Sequence, residues 1–280
     1  MMTAAVPYEQ LVFSGGGTRC FWQGGFLDVV RDAIGLAPDR IAAVSGGALS
    51  ASAFVSRRGK RLLELTTETF AGQDHNVAWH DLVEGEGLTP HQRLYRKIVE
   101  ETLDEEALRA IAEGPSFQVL IGHPPGDDPG RWSATGATVA YEAELHLVNA
   151  PHFGWAEKVG LDWSLVDARK VAAEGELIDL VCAAAAIPPL FDLAKWHGRP
   201  VVDGGMADQA PLPPGDSGRT LILLTRNYRN LPNDDRLDYV APRKETPADK
   251  LDFTDPEKIR ATWASGERDG HDFLERTASS

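Results

Sequence analysis

Three short segments of this 280-residue chain carry residues whose types and spacing suit nucleophilic chemistry. Gly15-Gly16-Gly17-Thr18-Arg19 sits between a short apolar run and a helical pattern. Glycines there let backbone N–H groups point at an anion, and the helix start adds positive potential, which suits a bound phosphate or a developing oxyanion. The segment is no Walker loop, because no Gly-Lys-Ser/Thr follows. Ala43-Val44-Ser45-Gly46-Gly47 has a small residue two before a serine and a glycine two after it, the pattern of a nucleophile elbow. Such a turn exposes Oγ and places the Gly46 N–H beside it as an oxyanion donor. Asp203-Gly204-Gly205 follows an apolar run and supplies a carboxylate. Taken singly, each segment is equally readable as a tight structural turn.

Other reactive residues have plainer readings. His197 is near Asp203 in sequence and His80 follows the elbow unit, so a Ser-His-Asp triad is the rival mechanism. Neither histidine lies in a recognisable motif, and a surface or hydrogen-bonded structural role is the expectation for both. Arg57-Arg58-Gly59-Lys60-Arg61 is a basic cluster that reads as a solvated helix end, with contact to anionic lipid headgroups the alternative. Trp79, Trp132, Phe153, Trp155 and Trp163 read as core, or else as the lining of an acyl pocket. Cys20 and Cys182 form neither a disulfide framework nor a zinc site.

The elements that must position these residues follow from periodicity. Gln10–Ser14 reads as a buried strand, and Phe21, Phe26, Leu27, Val29, Val30 and Ile34 have helical spacing. Arg40–Val44 is a second strand and Ala48–Val55 a second helix. Residues 60–113 contain at least two helices, with Leu94, Tyr95, Ile98 and Val99 on one face and Leu103, Ala107, Leu108 and Ile111 continuing it. Further strands are expected at Phe117–Ile121 and Thr220–Leu224, a strand pair or one long strand at Thr138–Val148, a strand edge running into a turn at Val201–Gly205, and a helix at Gly175–Ala186. Thr254-Asp255-Pro256-Glu257 reads as the start of a last helix. On that helix Gly266 and Gly270 would allow close packing. Repeated strand–turn–helix units predict a parallel sheet covered by helices.

Together the three segments are far more specific than any one. Gly-Gly-Gly-x-Arg, then small-x-Ser-x-Gly, then a distant Asp-Gly-Gly resembles the patatin-like phospholipase family. Ala184-Ala185-Ala186-Ile187-Pro188-Pro189-Leu190-Phe191 resembles that family's small-residue helix ending in Ile-Pro. The resemblance covers about residues 10–225. It implies an α/β three-layer sandwich with a mostly parallel central sheet, over a single 1–280 domain with a C-terminal helical extension from about 226. It implies a Ser–Asp dyad that hydrolyses acyl esters of lipids, with no cofactor and no metal. Ser45 would be the nucleophile and Asp203 its base. Gly15, Gly16, Gly17 and Gly46 would form the oxyanion hole, with Arg19, Gly47, Gly204 and Gly205 in support. Two positions depart from the family pattern: Ala43 replaces the usual Gly before the elbow, and Cys20 stands where a Gly usually follows the Arg.

Composition sets the outer bounds. There are 28 Lys+Arg against 42 Asp+Glu, a formal net charge of −14, which argues against nucleic-acid partners. Hydrophobic residues make up 42%, enough for a core without disulfides. No run reaches the ~18 apolar residues of a membrane span, and the first residues lack a signal-peptide pattern, so the expectation is a cytoplasmic protein with a lipid or acyl-ester substrate and transient membrane contact. The alternatives are a short-chain esterase or thioesterase, and a non-catalytic acyl- or anion-binding protein.

Overall fold

The computed structural model describes residues 8–71, 90–124, 149–152, 160–187, 194–215, 218–250 and 253–279. Strand β1 (Gln10–Phe13) is buried along its whole length, as a central strand covered on both faces must be. Leu11 and Phe13 face the main helical core. Val12 points the other way, toward Ile222, Ala210 and Leu224, the period-2 alternation of a strand. Gln10 is buried too, and its Oε1 accepts a hydrogen bond from Thr220 Oγ1 at 2.9 Å.

A 3-10 turn (Gly17–Cys20) leads into α1 (Phe21–Ala33), then β2 (Arg40–Val44) and α2 (Gly46–Val55). Helices α3 (Gly59–Ala71), α4 (Pro90–Thr102) and α5 (Glu105–Ala112) follow. The apolar face expected to run on from Leu94 to Ile111 is broken between α4 and α5. Asp104 caps α5 by accepting the Ala107 N–H at 2.9 Å, which starts a new helix where one was expected to continue. The chain continues through β3 (Ser116–His123), β4 (Asp162–Asp167), α6 (Ala168–Ala173), α7 (Leu177–Ala184), β5 (Ala194–Trp196), β6 (Arg199–Asp203), β7 (Thr220–Leu223), β8 (Leu237–Val240) and α8 (Pro256–Ala278). The strand expected over Thr138–Val148, together with Trp79, His80, Trp132, Phe153 and Trp155, lies outside the described residues.

The sheet runs β5-β6-β3-β2-β1-β7-β8, with β4 also paired to β3. Strands β1, β2, β3, β7 and β8 are parallel, and β4 and β6 run antiparallel to β3. This is the predicted α/β class, a central sheet flanked by helices. The register of β3 decides where the chemistry sits. A strand has two edges, and β4 occupies one edge of β3 from Gln118 to His123. On the other edge β2 ends with Val44 opposite Leu120, and β6 arrives from the opposite direction with Asp203 opposite Ile121. The two strands therefore meet tip to tip, and the residues just past their ends are neighbours.

Beyond residue 225, where a helical extension was expected, β8 first adds a parallel strand beside β7. Helix α8 then lies along α1. Asp255 caps it, accepting N–H bonds from Glu257 at 2.9 Å and Lys258 at 3.1 Å, with Pro256 in the first turn. Gly25 and Gly266 let the two backbones touch, since a Cβ at either would collide with backbone of the other helix. Trp22 stacks on Phe26 at 5.2 Å and Phe26 meets Phe273 edge-on at 5.3 Å, filling the rest of the seam.

Candidate active site

Ser45 stands between the tip of β2 and the first turn of α2, at φ 55° and ψ −137°. A side-chain-bearing residue with positive φ costs on the order of 1–3 kcal/mol, so surrounding structure must hold it. Gly47 is what allows the hold. A Cβ there would lie 2.6 Å from the carbonyl oxygens of both Phe13 and Ser14, so only glycine lets α2 start this close to β1. Ala43 accommodates its extra methyl within the main core, fully buried between its sheet partners Phe13 and Val119.

The junction of β2 and β6 puts the expected pair in contact. Ser45 Oγ donates to Asp203 Oδ2 at 2.5 Å, and both residues are buried. The other carboxylate oxygen, Oδ1, accepts the Gly205 N–H at 2.7 Å, and the Asp203 N–H donates to the Ala186 carbonyl at 2.8 Å. Gly204 fits because a Cβ there would collide with the Leu120 carbonyl. Burial raises the Asp203 carboxyl above its ordinary 3.8. The Lys250 ammonium, the Ser45 hydroxyl and the Gly205 N–H, in that order, pull it back. A carboxylate made more basic by burial, and aimed at a hydroxyl, is equipped to take that hydroxyl's proton.

The glycine loop is clamped from behind. The Gly15 N–H donates to the Gln209 carbonyl at 3.0 Å, so Gly15, expected among the oxyanion donors, supports the loop instead of donating into the site. Its carbonyl accepts from Thr225 Oγ1 at 2.6 Å. Gln209 Nε2 also donates to the Gly205 carbonyl at 2.7 Å, stapling the glycine loop to the Asp203 turn. The Arg19 N–H closes the loop onto the Gly16 carbonyl at 3.1 Å. Gly17 takes φ 56°, the left-handed region that glycine enters freely. Among the described residues no hydrogen bond engages the N–H of Gly16, Gly17 or Gly46. Cys20 donates through sulfur to the Ser14 carbonyl at 3.7 Å, and burial pushes its thiol well above the usual range.

Ser45 and Gly46 open into a pocket of about 690 Å³, a volume that includes its open mouth. Its walls are mainly apolar, among them Phe21, Leu49, Phe70, Ile98 and Phe253. Phe253 closes against Phe70 with ring centroids 6.1 Å apart. None of Gln209, Thr225, Lys250 or Phe253 carries a signal in the sequence. They lie far along the chain from the glycine loop and the Ser45 elbow, and only the fold brings them to the site.

The rival residues that fall among the described ones lie elsewhere. His197 is in the β5–β6 turn at φ 48°, followed by Gly198 at φ 79°, bonded to Glu176 at 2.8 Å and exposed. The length of β6 separates Arg199 from Asp203, roughly 13 Å at about 3.3 Å per residue, so His197 is no part of a triad. Three cations of the basic cluster are engaged in ion pairs: Arg57 with Asp32, Arg58 with Asp104 and Glu106, Lys60 with Asp28. Trp163 is exposed on β4 and lines no part of the cavity. Among the described residues, no helix is long and apolar enough to cross a membrane.

A family model described as Patatin-like phospholipase matches residues 11–215. Among solved structures, the crystal structure of VipD from Legionella pneumophila superposes with a TM-score of 0.52 at 12% identity, over 97% of this chain and 67% of VipD. The type III effector protein ExoU gives a TM-score of 0.35 at 12% identity, over 98% of this chain and 54% of that one. The similarity to VipD concerns the fold. No curated protein matches the chain.

Proposed function

The chain belongs to the patatin-like phospholipase family, and from that premise we propose that it is a lipid acyl hydrolase working through a Ser45–Asp203 dyad. The observation that carries this reading is the 2.5 Å hydrogen bond from Ser45 Oγ to Asp203 Oδ2 at the wall of an apolar cavity. The acyl chain lies against the apolar walls, with its ester carbonyl beside Ser45. Asp203 takes the hydroxyl proton as Oγ attacks the carbonyl carbon. Charge then builds on the carbonyl oxygen, where the N–H groups of Gly16, Gly17 and Gly46 receive it, aided by the positive end of α2. Collapse breaks the ester C–O bond. The departing alcohol takes the proton from Asp203, and Ser45 is left acylated. Water attacks the acyl-enzyme, gives a proton to Asp203, and releases the fatty acid as the proton returns to Ser45.

A fluorophosphonate probe tests the activated serine directly. Wild type is expected to take one adduct, located at Ser45 by mass spectrometry. Ser45→Ala is expected to take none, and Asp203→Ala to label at least ~100-fold more slowly, the usual scale for loss of a general base. Failure of folded wild type to label would overturn the dyad. A rate of ester hydrolysis that ignores acyl length would favour a short-chain esterase over a lipid hydrolase.

A further inference from the structure

Gln209 is 4% exposed, and its carboxamide takes no direct part in the proton and acyl transfers. The turn that carries it is anchored without that carboxamide. The Gln209 N–H donates to the Pro151 carbonyl at 3.0 Å, and the Asp208 N–H donates to the Gly204 carbonyl at 3.1 Å. Asp208 Oδ1 accepts the Ala210 N–H at 2.8 Å. The Asp208 carboxylate also meets His152 Nδ1 at 3.0 Å, and His152 Nε2 meets the Tyr239 hydroxyl at 3.0 Å. From this fixed turn Gln209 makes one bond to each half of the site. Its main-chain carbonyl accepts the Gly15 N–H at 3.0 Å. Its Nε2 donates to the Gly205 carbonyl at 2.7 Å, and the N–H of that same glycine holds Asp203 Oδ1 at 2.7 Å. A Cβ at Gly205 would meet Gln209 Nε2 at 2.6 Å and Asp203 Oδ1 at 3.0 Å. A Cβ at Gly15 would meet Gln209 Oε1 at 3.1 Å and Ser45 Cβ at 3.2 Å. One end of the amide therefore lies beside the base, and the other beside the loop that neighbours the nucleophile.

We infer that Gln209 is a positioning residue for the acyl transfer, the brace through which the base Asp203 and the glycine loop keep a fixed relation to each other. This rests on the hydrolase reading above and deepens it by giving the two halves of the site a common anchor. The sheet alone relates them only indirectly. Asp203 ends β6 and the glycine loop follows β1, and β3 and β2 stand between those two strands. The reaction needs both halves at once, because charge builds on the carbonyl oxygen as the proton leaves Oγ. A misplacement of about 1 Å in such a site costs on the order of 100-fold in rate. A planar carboxamide, shielded from competing water, is a short and stiff tie between the two.

The test is fluorophosphonate labelling of the full chain, read as the maximal labelling rate and the half-saturating probe concentration. Gln209→Met keeps the length of the side chain and removes the Nε2 donor. Its maximal rate is expected to fall about tenfold or more, with the half-saturating concentration within about twofold of wild type, as lost alignment without lost binding implies. Gln209→Glu keeps the shape, also loses the donor, and is expected to slow likewise. Thr220→Val removes a different buried bond, 2.9 Å to Gln10 at the start of β1. It is expected to lose stability in chemical denaturation and to label at the wild-type rate. The last arm places Gln209→Met in Asp203→Ala. With no base left to align, the residual labelling is expected to slow by no more than about threefold, a non-additivity that coupled residues show. Wild-type rates in folded Gln209→Met and Gln209→Glu overturn the inference. So does equal slowing in Thr220→Val, or a loss in Asp203→Ala as large as in the wild-type background. Failure of both Gln209 variants to fold overturns it too, by making the carboxamide a part of the fold alone. Wild type that takes no fluorophosphonate overturns the hydrolase reading beneath it, whereas wild type that labels at Ser45 leaves only the role of Gln209 at stake.

Discussion

The two ends of the cavity are built by different rules. At the reacting end, every position is constrained by backbone: Ser45 at positive φ, Gly47 against the carbonyls of β1, Gly204 against Leu120, and Gly17 in the left-handed region. At the apolar end, Phe70, Phe253 and Ile98 need only bulk. Backbone constraints admit one or two residue types, so they leave a pattern that can be read along the chain. Bulk can be supplied from any segment the fold brings near. The reacting end is therefore written in glycines, and the apolar end is written in no local pattern at all.

That contrast can be broken most severely at Gly47. Gly47→Ala places a methyl 2.6 Å from two main-chain oxygens that cannot rotate aside, so α2 must move off β1 and Ser45 with it. We expect a loss of about 2–3 kcal/mol in chemical denaturation, near the upper end for overpacking, and fluorophosphonate labelling of the folded fraction slowed by at least ~100-fold. A neutral effect on both would mean that the elbow is not held by this contact.

The apolar end should respond in degree instead. Phe253→Ala removes a ring that packs on Phe70 at 6.1 Å and on His91 at 5.7 Å. The expected outcome is a fall of about tenfold in the kcat/KM ratio of a long-chain ester over a short-chain one, the scale of losing apolar contact in a pocket. The small probe should still find Ser45. A change in labelling as large as that of Gly47→Ala would show that Phe253 supports the elbow and that the two ends are not separable.

The same division explains what could be read in advance. Ser45, Asp203 and the glycines stood out as local patterns, because a strand tip that must turn sharply can use few residues, but each alone reads as a turn and their roles came only from the resemblance of the three segments together to the patatin-like family. The α/β class came from strand–turn–helix repetition. The tip-to-tip meeting of β2 and β6 did not, since it depends on β4 holding the opposite edge of β3, a pairing between distant segments. Gly15 was expected to donate into the site, and its N–H is instead given to Gln209, a residue with no motif around it. The aromatic lining was sought among tryptophans. Trp163 proved exposed, the other aromatics named lie outside the described residues, and among the described lining residues are Phe70 of α3 and Phe253 of the C-terminal segment. Even the break at Asp104 was local in cause, a helix cap competing with an apolar stripe that ran straight through it.

The smallest expected effect lies in stability, and it bears on why the reacting end needs so much backbone support. Asp203 is buried, and its folded pKa lies above the ordinary 3.8. A carboxyl raised on folding favours the native state below its unfolded pKa, and that advantage is lost as pH rises through the folded value. Above that window the charge is a cost to the fold, one that the proposed reaction would explain. Asp203→Asn removes the charge while its side-chain oxygen can still accept the Gly205 N–H. We therefore expect the variant to melt above wild type at pH 8, where the buried carboxylate is charged. The difference should shrink as pH falls through the folded pKa and vanish near pH 4. Over the same window kcat/KM of the wild type should rise with pH as the base ionises. A melting difference that does not vary with pH would show that the carboxylate carries no such cost, and that the elbow strain at Ser45 alone is what the surrounding glycines hold in place.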